Sequence, residues 1–308
     1  MRPQTLRAQS TIDSPVETSG IGLHSAVRVN IRLLPAPANR GIVFRRVDLD
    51  NFEIEASWKH VARVSYATSL MKKGVLISTT EHLLSALVGC GVDNAIIEID
   101  SLELPILDGS GTPFVEMIRQ AGVKRQRAPR SYLRVLKPVE VREQGKSIGI
   151  YPCDSYRVTC AIDFPHPLIG RQTYELELTP ENYTRAIAPA RTFGFLREVD
   201  ALRNMGLIRG GSLDNALVLN DTGLMNATGL RFPDEFCRHK LLDLIGDLAL
   251  IGRPILGHVI AERAGHYMHV ALVDRLMHDR SLYQLVEIPA AARRPAPEPA
   301  GVLAPNLR

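Results

Sequence analysis

The chain has 308 residues, of which 45% are hydrophobic and 23% are charged, and its formal net charge at pH 7 is +4. This composition supports substantial buried cores, and the length favours two domains over one. No run approaches the roughly 18 apolar residues of a membrane span, and the opening MRPQTLRAQSTIDS lacks the apolar stretch of a signal peptide. We therefore expect a cytoplasmic protein without stable membrane insertion. The small, scattered positive charge predicts no nucleic-acid partner and suits an anionic small molecule.

The four cysteines form no CxxC pair, and they lie in apolar or mixed surroundings. This spacing favours reduced structural thiols over disulfides or metal ligands.

The first half combines alternating strands with amphipathic helices. AVRVNIRLL at 26–34 and GIVFRRVDL at 41–49 are predicted to be strands. A helix is predicted over 79–88, where Ser78 or Thr79 can cap the first turn and Glu81 lies within that turn. The strand NAIIEID follows, and DGSGTPFVEMIRQAG then predicts a turn and a second helix that ends at Gly122.

The second half has the same kinds of element. YLRVLKPVEVRE, KSIGIYP and YRVTCAIDF are predicted to form strands, and TPENYTRAIA and RHKLLDLIGDLAL are predicted to be helices. The fragments EHLLSALVG and HKLLDLIGD share a histidine followed by paired leucines, and each leads to an apolar strand. This repeat indicates an α+β fold of two related domains, each a small sheet packed with helices, whose helix layers face each other.

The predicted domains span 1–127 and 128–285, with the break near KRQRAPR at 124–130. Residues 286–308 are rich in proline and alanine, and we predict that they form a disordered tail.

The helix RHKLLDLIGDLAL carries His239, Asp243 and Asp247 at intervals of four residues, which places them along one face. A single acidic residue on a helix is usually exposed to solvent and has no further role. An imidazole and a carboxylate spaced i, i+4 can instead bind one cation, and a further acid one turn along can orient a neighbouring group.

A third ligand must come from elsewhere, and His82 in the matching helix is the candidate. Alone, it would more often be a histidine bonded to the backbone near a helix start. If the halves pack through their matching helices, His82 faces His239 and Asp243. Three protein ligands with a fourth position open are typical of catalytic zinc. The residues alone leave His258, His269 and His278 as alternative ligands.

Two further residues suit acid and base chemistry beside such a metal. Glu81 precedes His82 and could take a proton from the attacking water. Asp247 could hold His266, which follows Gly265, as an imidazolium that protonates a leaving amine.

Seven blocks, in one order from about residue 5 to 278, resemble the UDP-3-O-acyl-N-acetylglucosamine deacetylase family, the zinc amidases of lipid A synthesis. The blocks are GIGLHS, STTEHLLSALVGCGVDNAIIEID, ELPILDGSGTPFV, ARTFGF, GGSLDNALVL, LRFPDEFCRHKLLDLIGDLAL and AERAGH. The resemblance implies one Zn²⁺ per chain and an acylated UDP-sugar as substrate, and we expect a monomer. The implied reaction is hydrolysis of its N-acetyl group to give UDP-3-O-acyl-glucosamine and acetate, the committed step of lipid A biosynthesis.

The resemblance also implies a role for each matching residue. The implied zinc ligands are His82, His239 and Asp243, the general base is Glu81, and the acid is His266 supported by Asp247. Thr192 would donate its hydroxyl to the oxyanion. The implied substrate contacts are Phe193 beside the sugar and acyl chain, Lys240 near the diphosphate, Phe164 against the uracil, Leu23 in the acyl passage, and Gly265. The chain departs from the family at Ala67 and Thr68, where a cysteine near the metal is common.

Two other functions are compatible with parts of the pattern. A metal-stabilised nucleic-acid-binding module would show salt-dependent affinity for DNA or RNA and no hydrolysis. A two-metal phosphoesterase would need more carboxylate ligands than His82, His239 and Asp243 provide. Metal content per chain distinguishes the second from a one-zinc deacetylase.

Overall fold

The computed structural model describes residues 7–287, apart from the side chain of Arg63. Within this part of the chain, the helices are α1 (Glu81–Gly89), α2 (Thr112–Ala121), α3 (Pro180–Ala186), α4 (Leu196–Asn204), α5 (Glu235–Leu248) and α6 (His266–His278). The strands are β1 (Ala8–Ile12), β2 (Val16–Ile21), β3 (Arg28–Pro35), β4 (Ile42–Arg46), β5 (Phe52–Glu55), β6 (Val61–Arg63), β7 (Ser69–Lys72), β8 (Val75–Ile77), β9 (Ala95–Ile99), β10 (Val123–Pro129), β11 (Ser131–Val135), β12 (Val139–Glu143), β13 (Lys146–Tyr151), β14 (Tyr156–Phe164), β15 (Gly170–Glu177), β16 (Phe193–Phe195), β17 (Leu217–Leu219), β18 (Ile255–Glu262) and β19 (Tyr283–Glu287).

The two halves contain five-strand arrangements with the same topology. The first sheet has the order β2-β3-β9-β4-β5, in which only the β9–β4 pair is parallel. The second contains the order β12-β13-β18-β14-β15, in which only the β18–β14 pair is parallel. The prediction of an α+β fold is confirmed. The strands β11 and β19 extend the second sheet at the start of β18.

The predicted domain limits near residue 127 stay a prediction. KRQRAPR falls largely within β10, which pairs antiparallel with β1. Smaller units accompany the two large sheets: β6, β7 and β8 form one, and the parallel pair β16 and β17 forms another.

Helices α1 and α5, which contain the repeated fragments, pack directly against each other. A Cβ atom placed on Gly246 would lie 2.1 Å from the Glu81 carbonyl oxygen, so the glycine is needed for this close approach. Both helices are almost entirely buried. This contact places His82 of α1 beside His239 and Asp243 of α5.

We expect Gly246→Ala to lower the free energy of unfolding by about 3 kcal/mol, because the added methyl group must push apart two buried helices. Chemical denaturation measures the effect. The control is Gly223→Ala, whose added Cβ would meet only the Asn220 side chain, at 3.8 Å. Equal stability of the two variants would contradict the close helix packing.

The predicted cap of α1 is wrong. The N-cap residue is Thr80, and its side chain makes no capping bond. The Ser78 hydroxyl pairs with Ser69, while Thr79 has a φ of 59° and donates to Glu103. These hydroxyls bond to neighbouring segments because the start of the helix is buried.

Several boundaries also differ from the sequence predictions. The strands predicted over 26–34 and 41–49 are observed at Arg28–Pro35 and Ile42–Arg46. The predicted tail begins too early, since residues 286 and 287 belong to β19 and pair with β11. The rest of the predicted tail, 288–308, lies outside the described residues. Among residues 7–287, none of the helices is both long enough and apolar enough to cross a membrane.

Candidate active site

Three potential metal ligands converge where α1 meets α5. The ligand atoms of His82, His239 and Asp243 all lie within 4.8 Å of one another, and all three residues are buried. Asp243 Oδ1 lies 3.6 Å from His82 Nε2 and 3.3 Å from His239 Nε2. The two imidazole rings are nearly perpendicular, with centroids 5.0 Å apart.

The hydrogen bonds around this cluster fit a bound cation. His239 Nδ1 lies 3.0 Å from the Ala190 carbonyl oxygen, which can only accept, so Nδ1 carries the proton. In a neutral ring, Nε2 then presents a lone pair to the Asp243 carboxylate. Two acceptors facing each other in a buried site are stabilised when a cation lies between them.

The charge of Asp243 also suits metal binding. Burial by itself would raise the pKa of Asp243, but Lys240 and His239 hold that pKa well below its usual range. Lys240 Nζ donates to Asp243 Oδ2 at 2.9 Å, which leaves Oδ1 directed at the two imidazoles. Two imidazoles and one carboxylate, without a fourth protein ligand in the cluster among residues 7–287, form a set that can hold a catalytic divalent metal.

Glu81 lies beside this cluster at the first position of α1. Its carboxylate is buried, and Oε2 accepts a hydrogen bond from the Thr68 backbone N–H at 3.0 Å. Burial raises the pKa of Glu81, while the nearby His266 and His82 oppose that rise. A carboxylate with a raised pKa is a stronger base, so Glu81 can accept a proton at this site.

Asp247 lies one turn beyond Asp243 on α5 and accepts hydrogen bonds on both oxygens. Its Oδ2 is 2.7 Å from His266 Nδ1 and 2.8 Å from His269 Nδ1, while Oδ1 accepts from the Thr68 hydroxyl at 2.6 Å. Asp247, His266 and His269 are also close enough to suggest a second metal cluster. However, both imidazoles direct Nδ1 at the same carboxylate oxygen, as hydrogen-bond donors do.

The two imidazoles on Asp247 carry different charges. Burial opposes the charged form of His266, but the Asp247 carboxylate overcomes it and raises the pKa of His266 to about 9. Burial is the main effect on His269 and lowers its pKa. Burial by itself would raise the pKa of Asp247, but the charge of His266 and the hydrogen bonds from both rings lower that pKa to about 2. At neutral pH the network therefore contains a carboxylate, a cationic His266 and a neutral His269.

An aromatic cluster adjoins the potential metal ligands. Phe193 in β16 makes edge-to-face contacts with Phe164 and Phe236, at centroid distances of 5.6 and 5.0 Å. Lys240 Nζ lies 5.7 Å from the Phe193 ring centroid and also bonds to Asp243. The structure thus brings a cation and apolar ring surfaces together beside the polar cluster.

Comparison with known proteins gives the family of this chain. Residues 9–278 match the family described as UDP-3-O-acyl N-acetylglycosamine deacetylase. The chain belongs to this deacetylase family. Proteins named UDP-3-O-acyl-N-acetylglucosamine deacetylase are similar over nearly their whole length. The one from Solibacter usitatus is 58% identical over 94% of this chain and 98% of its own length, and the one from Myxococcus xanthus is 46% identical over 93% and 91%. The one from Xylella fastidiosa is 43% identical over 94% and 96%.

Of the residues that the deacetylase resemblance implied, some form one connected group and others lie in flanking loops. The connected group is His82, His239, Asp243, Glu81, Asp247, His266, Lys240, Phe193 and Phe164. Thr192 directly precedes β16, and its backbone N–H donates to Gly109. The Leu23 carbonyl accepts from Gly210 N, and Gly265 is the N-cap residue of α6.

The three alternative histidine ligands have other surroundings. His258 bonds to the Thr159 hydroxyl at 2.8 Å, and His278 packs against Trp58 with centroids 4.8 Å apart. His269 contacts Asp247 and not the cluster on Asp243.

Sequence reasoning missed the contacts of Thr68 and His269. His269 is three residues after His266 on one helix, and this spacing was a usable signal. Thr68 has no such signal, because it precedes β7 and reaches Asp247 only through the tertiary fold. Its hydroxyl donates to Asp247, and its backbone N–H donates to Glu81.

Proposed function

We propose that this chain hydrolyses the N-acetyl group of UDP-3-O-(3-hydroxyacyl)-N-acetylglucosamine, giving UDP-3-O-acyl-glucosamine and acetate, the committed step of lipid A biosynthesis. The observation that carries the proposal is the buried cluster of His82, His239 and Asp243, with Glu81 and His266 beside it. Membership of the deacetylase family supports the same reaction.

We propose Zn²⁺, one per chain, as the metal held by His82, His239 and Asp243. Two nitrogen ligands and one carboxylate with an open position suit catalytic zinc. When bound, the ion supplies Lewis acidity that polarises the amide carbonyl and acidifies water.

The side chains around the cluster then divide the proton transfers. Glu81 accepts a proton from the attacking water, because it is a buried carboxylate with a raised pKa. Thr192 donates its hydroxyl to the oxyanion that develops on the carbonyl, an interaction worth about 3 kcal/mol in such sites. His266 protonates the departing sugar nitrogen, and Asp247 keeps it cationic.

The substrate's mixed chemistry matches the neighbouring groups. Lys240 suits the diphosphate, and the Phe164 ring offers a stacking surface for the uracil. Phe193 would lie beside the sugar and the acyl chain, and Leu23 would line the acyl passage. Gly265, directly before His266, would contact the substrate through its backbone, and a Cβ placed there would meet nothing within 4 Å.

We further propose two domains, 1–127 and 128–285, because each contains the same five-strand order. A monomer is sufficient, since residues of one chain supply the whole proposed site. We propose a cytoplasmic location. The buried Cys160 and Cys237 are free thiols, as is usual in a reducing compartment.

The direct test is deacetylation of UDP-3-O-acyl-N-acetylglucosamine before and after complete metal removal. We expect turnover in the metal-loaded protein, at least 100-fold less after chelation, and recovery when one equivalent of Zn²⁺ is added. Mass spectrometry under native conditions gives the metal count and the oligomeric state. Full turnover without metal, or two essential metals per chain, would contradict the proposal.

A further inference from the structure

Glu103 is a buried carboxylate that the proposed chemistry does not use. Glu103 is 1% exposed and lies between α1 and the loop that follows β2. The backbone N–H groups of His24 and Ser25 donate to its two oxygens, each at 2.8 Å. Two successive backbone N–H groups make a small anion-binding site, so this carboxylate holds the loop by both oxygens.

The loop that Glu103 holds is joined to the second half of the chain. Gly210 N donates to the Leu23 carbonyl at 3.0 Å, and Arg209 N donates to the His24 carbonyl at 3.3 Å. We call residues 22–25 and 208–211 together the latch. Its two segments touch through their backbones, because a Cβ on Gly210 would lie 2.3 Å from the Gly22 carbonyl oxygen.

Glu103 itself leaves no space for a side chain at the start of the latch. A Cβ placed on Gly22 would be 2.3 Å from Glu103 Oε2. The same carboxylate reaches the start of the catalytic helix, since the Thr79 hydroxyl donates to Oε1 at 3.2 Å. Thr79 has a φ of 59° and lies two residues before Glu81. One buried group therefore connects the latch to the helix of Glu81 and His82.

We propose that Glu103 is a positioning residue that closes the latch, and that it thereby sets the enzyme's preference for substrates with a long 3-O-acyl chain. The inference rests on the proposed function, in which Leu23 lines the acyl passage. The carbonyl of Leu23 accepts from Gly210, and the next two backbone N–H groups, those of His24 and Ser25, are bound by Glu103. Releasing the loop therefore moves this wall of the passage without removing any group that touches the reacting amide.

Glu103→Gln tests the latch with minimal change of shape. The glutamine oxygen can accept from one of the two backbone N–H groups. Its NH₂ group must then face the second N–H group, which is also a donor. We expect the KM for the long-chain substrate to rise about 10-fold, with kcat and metal content near those of the unchanged protein. A substrate with a shortened 3-O-acyl chain should show less than a 2-fold change in KM.

Glu98→Gln is the matched control, because it removes a nearby glutamate that pairs with Arg45 and does not contact the latch. Hydrogen–deuterium exchange provides a readout that does not depend on activity. Amides in peptides covering 20–27 and 205–213 should exchange faster in Glu103→Gln than in Glu98→Gln.

Gly210→Ala opens the latch from the opposite side and keeps the test usable if Glu103→Gln does not fold. The same rise in long-chain KM and in exchange is expected, with Gly223→Ala as its control.

Unchanged exchange in both latch variants would overturn the role of Glu103. Faster exchange with equal KM changes for long-chain and short-chain substrates would overturn the role of the latch in acyl preference. Failure of the proposed function would appear differently, as absence of deacetylation in the unchanged protein.

Discussion

Glu81→Gln is expected to retain the metal and to lower kcat by about 10²- to 10⁴-fold, the range for loss of a general base. A glutamine can still accept the hydrogen bond from the Thr68 backbone that now reaches Oε2. It cannot take a proton from water at neutral pH. Its effect on KM should be small, because in the proposed reaction the carboxylate acts on the attacking water and not on the sugar nucleotide.

The comparison variant is His82→Ala, which changes the adjacent residue but removes a proposed ligand. This variant should lose metal and activity together, and added Zn²⁺ should restore part of both. Glu116→Gln, on the exposed face of α2, controls for the loss of a glutamate charge. Metal analysis and single-substrate kinetics decide the result. Loss of metal from Glu81→Gln, or turnover close to that of the unchanged protein, would show that Glu81 is not the base.

Local spacing predicted the part of the site that lies on one helix. Intervals of four residues align His239, Asp243 and Asp247, and all three are buried on α5. The ordinary alternative of a solvent-facing stripe does not apply here. His82 could be connected to them only through the repeated fragment, since no local pattern in either half gives the packing of α1 on α5.

The contacts that complete the network depend on segments far apart in the chain. Thr68 reaches Asp247 across 179 positions, and Glu103 reaches Ser25 across 78. Neither contact has a periodic signal, because Thr68 and Glu103 both lie outside the regular helices and strands. The prediction of the α1 cap was wrong for the same reason. Ser78 and Thr79 have the right chemistry to cap α1, but tertiary partners bind their hydroxyls instead.

The buried Asp247 carboxylate should determine the alkaline limb of the pH profile. His266 has its pKa raised to about 9, even though burial alone would lower it, because Asp247 stabilises the cation. The acid form of His266 is therefore present below about pH 9 and lost above it. The contribution of the raised pKa of His266 to the stability of the fold depends on pH in the same direction. It is fully present below the unfolded pKa of 6.5 and lost as the pH rises through the folded pKa of about 9.

Asp247→Asn removes the charge that favours the His266 cation, so the pKa of His266 should fall to 6.5 or below. We expect the alkaline limb of kcat/KM to move down by more than 2 pH units, with about 30-fold or more lost at pH 8. Metal should be retained, since Asp247 lies outside the cluster of His82, His239 and Asp243.

The matched control for this change is Asp274→Asn, which breaks an exposed Asp–His pair on α6. Asp274 Oδ1 lies 3.3 Å from His278 Nδ1, and the two side chains are 58% and 64% exposed. Because water already solvates both groups, the control should leave the pH profile unchanged. An alkaline limb that stays near pH 9 in Asp247→Asn, with metal still bound, would mean that another group donates the proton to the leaving amine.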